Sequence, residues 1–256
     1  MTADTPRGTL YLVPAPLDFG CEPQAPLTDV LPEATLQHAA RLTHWVCENA
    51  KSCRAYLKRI DAHTPLAAPL QRQQITELPH AVHKKGDHAG HFDARPLLAP
   101  LLQGHDMGLV SEAGMPAVAD PGSSVVRAAH DAGLRVVPLV GPVSLLLALA
   151  ASGLNGQNFA FVGYLPQEAG ERIQRIHQLE ALALKHGQTQ LFIETPYRNA
   201  ALWQALLQHL QPTVRLALAS GLTLAQAQVQ CQPVHAWRQL PAFAPSRLPT
   251  VFAIGA

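Results

Sequence analysis

The chain has 256 residues, of which 48% are hydrophobic and 14% are charged, and its 19 Lys and Arg balance 18 Asp and Glu to a net charge of +1. This apolar content excludes a disordered chain, because enough surface can be buried to offset the entropy lost on folding. The near-zero charge excludes a uniformly basic polyanion binder but not a local basic patch. The length predicts one large or two modest domains.

Two further classes of protein receive no support from the sequence. The cysteines, which are Cys21, Cys47, Cys53 and Cys231, form no CxxC pair. Neither a zinc framework nor a disulfide scaffold is therefore expected, and a reducing cytoplasm is predicted. No signal peptide is expected at the start of the chain.

The uncharged segment 136–154 is nearly long enough to span a bilayer, but Pro138, Gly141 and Pro142 interrupt it. We predict a buried strand, a tight turn and a buried helix there.

Short apolar runs alternate with helical patterns in the first half of the chain. Strands are predicted at Thr9–Val13, His44–Cys47, Ile75–Leu78, Met107–Val110 and Arg135–Leu139. Helices are predicted at Ala34–Leu42, Ser52–Ile60, Ala94–Leu102 and Ser123–Ala132. This alternation is typical of βαβ units, which form a parallel sheet with its binding sites in the loops at the carboxyl ends of the strands.

The second half continues with new strands and helices. Strands are predicted at Phe159–Val162, Gln190–Ile193, Val214–Leu218, Gln228–Gln232 and Val251–Ile254. Helices are predicted at Glu171–His186, Asn199–Leu210 and His235–Leu240, with a helix at Ser144–Ser152 as the bridge between the halves.

Three loops that follow predicted strands are candidates for chemistry. In residues 13–18, two prolines remove backbone donors and leave carbonyls in fixed directions. Residues 110–122 are rich in small side chains, and Gly114 and Gly122 permit a positive φ or the close approach of a ligand. The alternative explanation of Asp120 is that it caps the helix that begins near Ser123, but we favour ligand binding for this loop. In residues 140–144 the chain turns directly into a helix whose N-cap is Ser144.

Other reaction classes lack their motifs. The position after the first strand holds Val-Pro-Ala-Pro rather than G-x-G-x-x-G, and the chain has no P-loop, G-x-S-x-G or H-E-x-x-H sequence. The histidine-rich stretch 80–91 matches no zinc spacing, so we interpret it as a solvated loop and predict no metal site.

The order of several motifs resembles the tetrapyrrole methylase superfamily, and most closely its ribosomal RNA small-subunit methyltransferase I branch. The motifs are Gly8–Pro16, Val110–Gly122, Val137–Ser144, Ala151–Leu154, Gly163–Pro166 and Glu194–Arg198. The resemblance covers nearly the whole chain, and the joint occurrence of the second segment with Glu-Thr-Pro-Tyr-Arg is highly specific.

The resemblance implies two α/β domains, a parallel-sheet domain over residues 1–141 and a mixed-sheet domain over residues 142–256, with S-adenosylmethionine in the cleft between them. It implies cofactor contacts, many of them through backbone atoms, from Pro14, Pro16, Leu17, Gly114, Met115, Val118, Val143, Ser144, Tyr164, Leu165, Ala219, Leu248, Pro249 and Thr250. No metal is required, since methyl transfer from a sulfonium is an in-line displacement favoured by positioning.

The chain departs from the branch on the acceptor side. Glu48-Asn-Ala-Lys51 stands where the branch has Glu-Asp-Thr-Arg, and Ser220-Gly-Leu-Thr-Leu224 stands where it has Arg-Glu-Leu-Thr-Lys. Candidate proton acceptors are Glu48, His80 and His83, each of which is equally compatible with a surface or capping role. Candidate phosphate contacts are Lys51, Arg54 and Arg198, although Arg198 also suits an ion pair with Glu194.

We expect an S-adenosylmethionine-dependent methyltransferase that 2′-O-methylates a ribosomal RNA nucleotide, with the RNA or the small subunit as partner. Two alternatives stay open. One is methylation of a tetrapyrrole-like small molecule, and the other is a cofactor-binding module with altered or lost activity. The resemblance further implies a homodimer, and we expect it to work in the cytoplasm without a membrane partner.

Overall fold

The computed structural model describes residues 6–85, 87, 92–240, 245 and 247–256, with only the backbone described at 83–85. Its chain divides into two units, Met1–Val143 and Ser144–Ala256. Each unit has its own sheet and its own buried apolar cluster.

The first unit is built on five parallel strands in the order β3-β2-β4-β1-β5. The strands are β1 (Thr9–Leu12), β2 (His44–Cys47), β3 (Gln74–Glu77), β4 (Met107–Val110) and β5 (Arg135–Pro138). The helices are α1 (Glu33–Arg41), α2 (Ala50–Asp61), α3 (His80–Lys85), α4 (Ala99–Leu102) and α5 (Ser123–Asp131).

Both faces of this sheet are covered, as a parallel sheet requires. Along β2, Trp45 and Cys47 point into the core shared with α1 and α2, whereas Val46 points into the core shared with α4 and α5. This alternation follows from the two-residue period of a strand. The N-cap of α2 is Asn49, whose side chain accepts hydrogen bonds from the amides of Lys51 and Ser52.

The second unit has a mixed sheet in the order β6-β7-β10-β8-β9, in which only β6 and β7 are parallel. The strands are β6 (Phe159–Tyr164), β7 (Thr189–Glu194), β8 (Arg215–Ser220), β9 (Gln228–Pro233) and β10 (Thr250–Gly255). The helices are α6 (Ser144–Ser152), α7 (Ala169–His186), α8 (Asn199–His209) and α9 (Val234–Arg238). The α/β class with one parallel and one mixed sheet is therefore confirmed.

Aromatic side chains fill the core of the second unit. Trp203 and Trp237 meet edge to face with ring centroids 4.9 Å apart, and Phe192 of β7 stacks with Phe252 of β10 at 5.9 Å. All four side chains are fully buried. Such pairs stabilise a fold by about 0.5–1.5 kcal/mol beyond the area that they bury.

Three local predictions need correction. The helix expected at Ala94–Leu102 is a 3₁₀ turn, Arg95–Leu98, followed by the short α4, because Pro96 and Pro100 each lack a backbone donor. The histidine-rich stretch begins as α3 rather than as a loop, and residues 86 and 88–91 lie outside the described part of the chain.

The uncharged segment 136–154 forms β5, a turn and α6, but the prediction that both elements are buried is wrong. In β5, Val136 and Val137 are only half-buried, and in α6, Leu146 and Leu147 face solvent. Among the described residues, no helix is both long enough and apolar enough to cross a membrane.

Candidate active site

The loops at the carboxyl ends of β1 and β4 are joined by backbone hydrogen bonds. We call residues 13–18 the β1 loop and residues 111–122 the β4 loop. Ala15 and Gly114 exchange two amide-to-carbonyl hydrogen bonds of 2.9 and 3.0 Å. The Tyr56 hydroxyl of α2 donates to the Pro14 carbonyl at 2.8 Å, and burial raises the pKa of this tyrosine. The β1 loop is thus held from two sides.

The loop after β5, residues 139–143, packs against both of these loops. A Cβ placed on Gly141 would overlap Pro14 Cγ. A Cβ placed on Gly114 would lie 3.2 Å from Leu17 Cδ2 and 3.5 Å from the Pro142 carbonyl oxygen. The three loops selected from the sequence therefore meet within the first unit, and the two glycines allow the backbones to approach.

The strand order explains why this region is a candidate binding site. From β1 the chain passes over β4 to reach β2, and from β4 it passes over β1 to reach β5. The connections leave the adjacent strands β1 and β4 in opposite directions. In parallel sheets, such a switch point opens a crevice at the carboxyl ends of the strands, where ligands bind.

The β4 loop holds an unusual backbone conformation. Ala117 and Ala119 have φ values of 64° and 65°, in a region where residues with a side chain are uncommon. Backbone strain of this kind costs about 1–3 kcal/mol per residue and concentrates at functional sites.

A substitution at Ala117 tests whether this loop is strained. Ala117→Gly is expected to raise the free energy of unfolding by about 0.5–1 kcal/mol, because glycine adopts a positive φ without the Cβ penalty. Ala128→Gly, inside α5, is the matched control and is expected to lower it by about 1 kcal/mol. Urea denaturation of both variants gives the two values, and a loss of stability in Ala117→Gly would show that the loop is relaxed.

The end of the β4 loop is anchored by Asp87, not by Asp120. The buried Asp87 carboxylate accepts hydrogen bonds from the amides of Gly122 and Ser124, at 2.9 and 2.8 Å, and from the Ser123 hydroxyl at 2.7 Å. Burial acts to raise the pKa of Asp87, but these hydrogen bonds outweigh it and lower the pKa. The alternative role of Asp120 as the cap of α5 is not observed, because the Asp87 carboxylate occupies the free amides at the start of the helix.

Removal of the Asp87 carboxylate is expected to loosen the β4 loop. Asp87→Ala should lower the free energy of unfolding by about 2 kcal/mol, since buried donors lose their acceptor. Asp93→Ala removes an exposed carboxylate that pairs with Arg95 at 2.8 Å, and it should leave the free energy of unfolding nearly unchanged. Equal effects of the two variants in thermal or urea unfolding would contradict the assigned anchor.

Asp120 instead belongs to an acidic cluster formed with Glu48 and Glu112. Glu48 directly follows β2, and Glu112 follows β4. Burial, followed by the charges of Glu48 and Glu112, raises the pKa of Asp120 to about 7, while the Ser111 hydroxyl acts in the opposite direction. The Ser52 hydroxyl of α2 donates to Glu112 Oε1 at 3.1 Å. A carboxyl group with this pKa can accept a proton near neutral pH.

The other predicted acceptor-side residues of the first unit are dispersed. Glu48 is half-buried within the acidic cluster. His80 is exposed at the first position of α3, and the side chain of His83 lies outside the described part of the chain. Lys51 and Arg54 are exposed on α2.

In the second unit, the Glu-Thr-Pro-Tyr-Arg motif begins at the last residue of β7. Glu194 Oε1 accepts from the Thr195 amide and pairs with the Arg198 guanidinium at 2.7 Å. The guanidinium also lies 5.4 Å from the centre of the exposed Tyr197 ring. The ion-pair interpretation of Arg198 is the one that the structure describes.

The predicted cofactor contacts of the second unit lie at strand ends and in a short polar network. Tyr164 is exposed at the end of β6, whereas Leu165 and Ala219 are buried. The Thr250 hydroxyl lies 2.7 Å from that of Ser220 and accepts from Asn199 at 3.1 Å. These hydrogen bonds fix the backbone at the start of β10, next to Pro249.

Comparison with known proteins places the chain in a family. Residues 34–234 match the family model described as Tetrapyrrole (Corrin/Porphyrin) Methylases. The chain belongs to the tetrapyrrole methylase family. As a member, it is a methyltransferase, and the resemblance drawn from its motifs is confirmed.

Relatives of this tetrapyrrole methylase include proteins named Ribosomal RNA small subunit methyltransferase I. The one from Escherichia coli O157:H7 is 30% identical over 91% of the chain and 72% of the relative's length. The one from Xylella fastidiosa is 33% identical over 75% of the chain, but the match spans only 60% of that relative. The match to the Mesorhizobium japonicum relative, at 40% identity, spans 42% of its length.

Solved structures share the fold of this tetrapyrrole methylase. A uroporphyrin-III-C-methyltransferase from Thermus thermophilus has a TM-score of 0.52 at 18% identity, covering 97% of this chain and 94% of that one. The methyltransferase CobJ has a TM-score of 0.55 at 17% identity, covering 98% and 94%.

Three residues that the methylase fold brings to this site have no motif of their own in the sequence. Asp87 lies in the histidine-rich stretch, Glu112 is one residue of the β4 loop, and Tyr56 belongs to the helix predicted at Ser52–Ile60. Their roles depend on contacts between residues 35 to 60 positions apart, such as Asp87 with Gly122 and Ser52 with Glu112. The one local signal is that Glu112 immediately follows a strand, at the end where parallel sheets bind ligands.

Proposed function

We propose that this chain transfers a methyl group from S-adenosylmethionine to a ribose 2′-hydroxyl of small-subunit ribosomal RNA. The observation that carries the proposal is the meeting of the three glycine- and proline-rich loops beside Asp120, whose pKa is raised to about 7. The family and the names of the relatives support methyl transfer and an RNA acceptor.

The loops of the first unit suit a nucleoside ligand. Val118 and Val140 are exposed apolar side chains of the β4 loop and the loop after β5, and Val140 is 70% exposed. The strained β4 backbone and the close packing at Gly114 leave little side-chain bulk between a ligand and the main chain. When bound, S-adenosylmethionine supplies an electrophilic methyl group on its sulfonium.

In this proposal, the β1 and β4 loops hold the cofactor through Pro14, Pro16, Leu17, Gly114, Met115 and Val118, with Val143 from the loop after β5. The second unit adds Ser144, Tyr164, Leu165, Ala219, Leu248, Pro249 and Thr250, most of them through backbone atoms. Stiff loops favour the reaction because they fix the orientation of the reacting groups in advance.

The chain must also remove one proton from the acceptor. With S-adenosylmethionine bound, formation of the bond between the ribose 2′-oxygen and the methyl carbon would break the methyl–sulfur bond and leave the sulfur as a neutral thioether. The Asp120 carboxylate would accept the hydroxyl proton. A base whose pKa lies near the working pH is effective, since it is both available and sufficiently basic. We assign this role to Asp120 in preference to His80, which is exposed on α3, and we place Glu48 beside it as a neighbouring charge.

The exposed Lys51 and Arg54 of α2 are proposed to contact RNA phosphates. They supply local positive charge on a chain whose net charge is only +1. Arg198 is proposed as a weaker phosphate contact, because its guanidinium already pairs with Glu194. We further propose that the protein acts as a homodimer in the cytoplasm, where its RNA substrate is found; light scattering on the purified chain gives the oligomeric state.

The proposed function is tested with purified protein, tritiated S-adenosylmethionine and small ribosomal subunits that lack the modification. Label is expected in one nucleotide that resists alkaline cleavage, because a 2′-O-methyl group blocks attack on the neighbouring phosphate. Label on a base would contradict the proposal that the methyl acceptor is the ribose 2′-hydroxyl. Label on a tetrapyrrole but not on RNA would favour the small-molecule alternative, and cofactor binding without any product would favour a binding module.

A further inference from the structure

A cavity of about 470 Å³ in the first unit lies beside the strand-end loops. It is enclosed by residues of the β1 loop and the turn after it, by one face of α2 and by the end of β4. Lining residues that matter for its chemistry are Phe19, Ser52, Tyr56, Lys58 and Glu112. Its volume falls in the range of pockets that hold small ligands.

The walls of this cavity are fixed by internal contacts. The Tyr56 hydroxyl is committed to the Pro14 carbonyl at 2.8 Å. The buried Asp18 carboxylate pairs with the Arg59 guanidinium at 2.9 and 3.0 Å, and Arg59 also donates to the Ala25 carbonyl at 2.7 Å. These groups hold the turn after β1 against α2, and they neutralise one another's charge.

Three other lining groups are placed to recognise a ligand. Phe19 lines the cavity and is 48% exposed, so its ring is accessible to a ligand. The Glu112 carboxyl group is oriented by the Ser52 hydroxyl at 3.1 Å. Lys58 adds an exposed ammonium on the same helix. An aromatic face, an oriented acceptor and a cation are the groups that bind an unpaired nucleotide.

We propose that this cavity binds an unpaired RNA base that carries an exocyclic amino group, with Phe19 stacking on the base, Glu112 accepting from the amino group and Lys58 near a phosphate. The inference rests on the proposed function, since it gives the acceptor strand its place in the first unit. A carboxylate accepts from the exocyclic amino group of cytosine, whereas uracil has a carbonyl oxygen, itself an acceptor, at that position. The cavity should therefore discriminate against uracil.

The test measures equilibrium binding of fluorescein-labelled hexanucleotides of cytidine, adenosine or uridine by anisotropy, with S-adenosylmethionine affinity measured in parallel by calorimetry. For the unaltered protein, the cytidine and adenosine RNAs are expected to bind at least about tenfold more tightly than the uridine RNA. Glu112→Gln is expected to reduce this ratio below about threefold, because an amide both donates and accepts. Binding is used because it does not depend on proton transfer to Asp120.

The role of Phe19 is tested by a separate substitution with its own expected effect on RNA binding. Phe19→Ala is expected to weaken all three RNAs by about 5- to 150-fold, the loss that corresponds to one stacked base. Glu171→Gln, exposed on α7, and Leu102→Ala, exposed on α4, are the matched controls and should leave RNA binding unchanged. Melting temperatures of all variants show whether the fold is retained, and Ser52→Ala, which frees Glu112, should also reduce the ratio.

The outcomes separate this inference from the proposed function. Equal binding of the three RNAs, unaffected by Glu112→Gln, would overturn the base pocket even if ribosomal RNA is methylated. A loss of S-adenosylmethionine affinity in Phe19→Ala or Glu112→Gln would assign the cavity to the cofactor's adenine and would also overturn it. Selective binding without any methylated RNA would support the pocket while contradicting the proposed function.

Discussion

Asp120→Asn is expected to lower kcat for RNA methylation by about 10²–10⁴-fold at pH 8 and, in the same protein, to raise the free energy of unfolding. The activity falls because asparagine cannot accept the proton of the 2′-hydroxyl. The stability rises because burial and the charges of Glu48 and Glu112 make an ionised Asp120 costly in the folded state. A loss of activity together with a gain in stability identifies a carboxylate that serves function, because replacement of a structural carboxylate would lower the stability.

The pH dependence follows from the direction of the Asp120 shift. Its pKa is raised to about 7 in the folded chain, against about 3.9 in an unfolded one. Below about pH 4 the carboxyl group is protonated in both the folded and the unfolded state, so it does not lower the free energy of unfolding. Between about pH 4 and 7 the unfolded state ionises first, and the stability that the neutral folded form provides is lost as the pH rises. Above about pH 7 the group is ionised in both states, so its effect on the free energy of unfolding no longer changes with pH.

The stabilisation by Asp120→Asn should therefore be about 2 kcal/mol larger at pH 8 than at pH 5. Urea denaturation at the two pH values measures it, and Asp29→Asn is the control because Asp29 is exposed in the same unit. The kcat of the unaltered enzyme should rise through about pH 7, whereas that of the variant stays low throughout. A pH-independent effect on stability would contradict the shifted pKa.

Much of the fold of the first unit follows from local sequence. The strand at Met107–Val110 was predicted with the bounds observed, and the three loops chosen for their glycines and prolines meet at Gly114. They meet because parallel strands place their carboxyl ends along one edge. Short apolar runs that alternate with helical patterns, each run followed by loop residues, are enough to predict that edge.

Other features depend on distances that no local pattern records. Asp87 anchors α5 across 37 residues of sequence, and only the folded chain shows that it, rather than Asp120, meets those amides. The raised pKa of Asp120 arises from burial beside Glu48 and Glu112, which follow β2 and β4, and the adjacency of these strands is a property of strand order. The break at Arg95–Leu98 does have a local signal, since Pro96 and Pro100 stand four residues apart.

Gly141→Ala is expected to reduce S-adenosylmethionine affinity more than tenfold and to lower the free energy of unfolding by about 1–3 kcal/mol. The added methyl group would overlap Pro14 Cγ and lie 3.0 Å from Leu31 Cδ2. The β1 loop cannot yield without breaking the Tyr56 hydrogen bond or the paired bonds between Ala15 and Gly114. Displacement of that loop would move the groups proposed to hold the cofactor.

The control for Gly141→Ala is Gly156→Ala, where no atom lies within 4 Å of the added Cβ. It should leave both calorimetric affinity and melting temperature unchanged. The new methyl group would meet both Cγ and Cβ of Pro14. Pro14→Gly removes both carbons, so the double variant should recover part of the lost affinity, with a coupling of about 0.5–3 kcal/mol. Full cofactor affinity in Gly141→Ala would mean that the packing of these loops does not hold the cofactor. Additive losses in the double variant would mean that the two residues act independently.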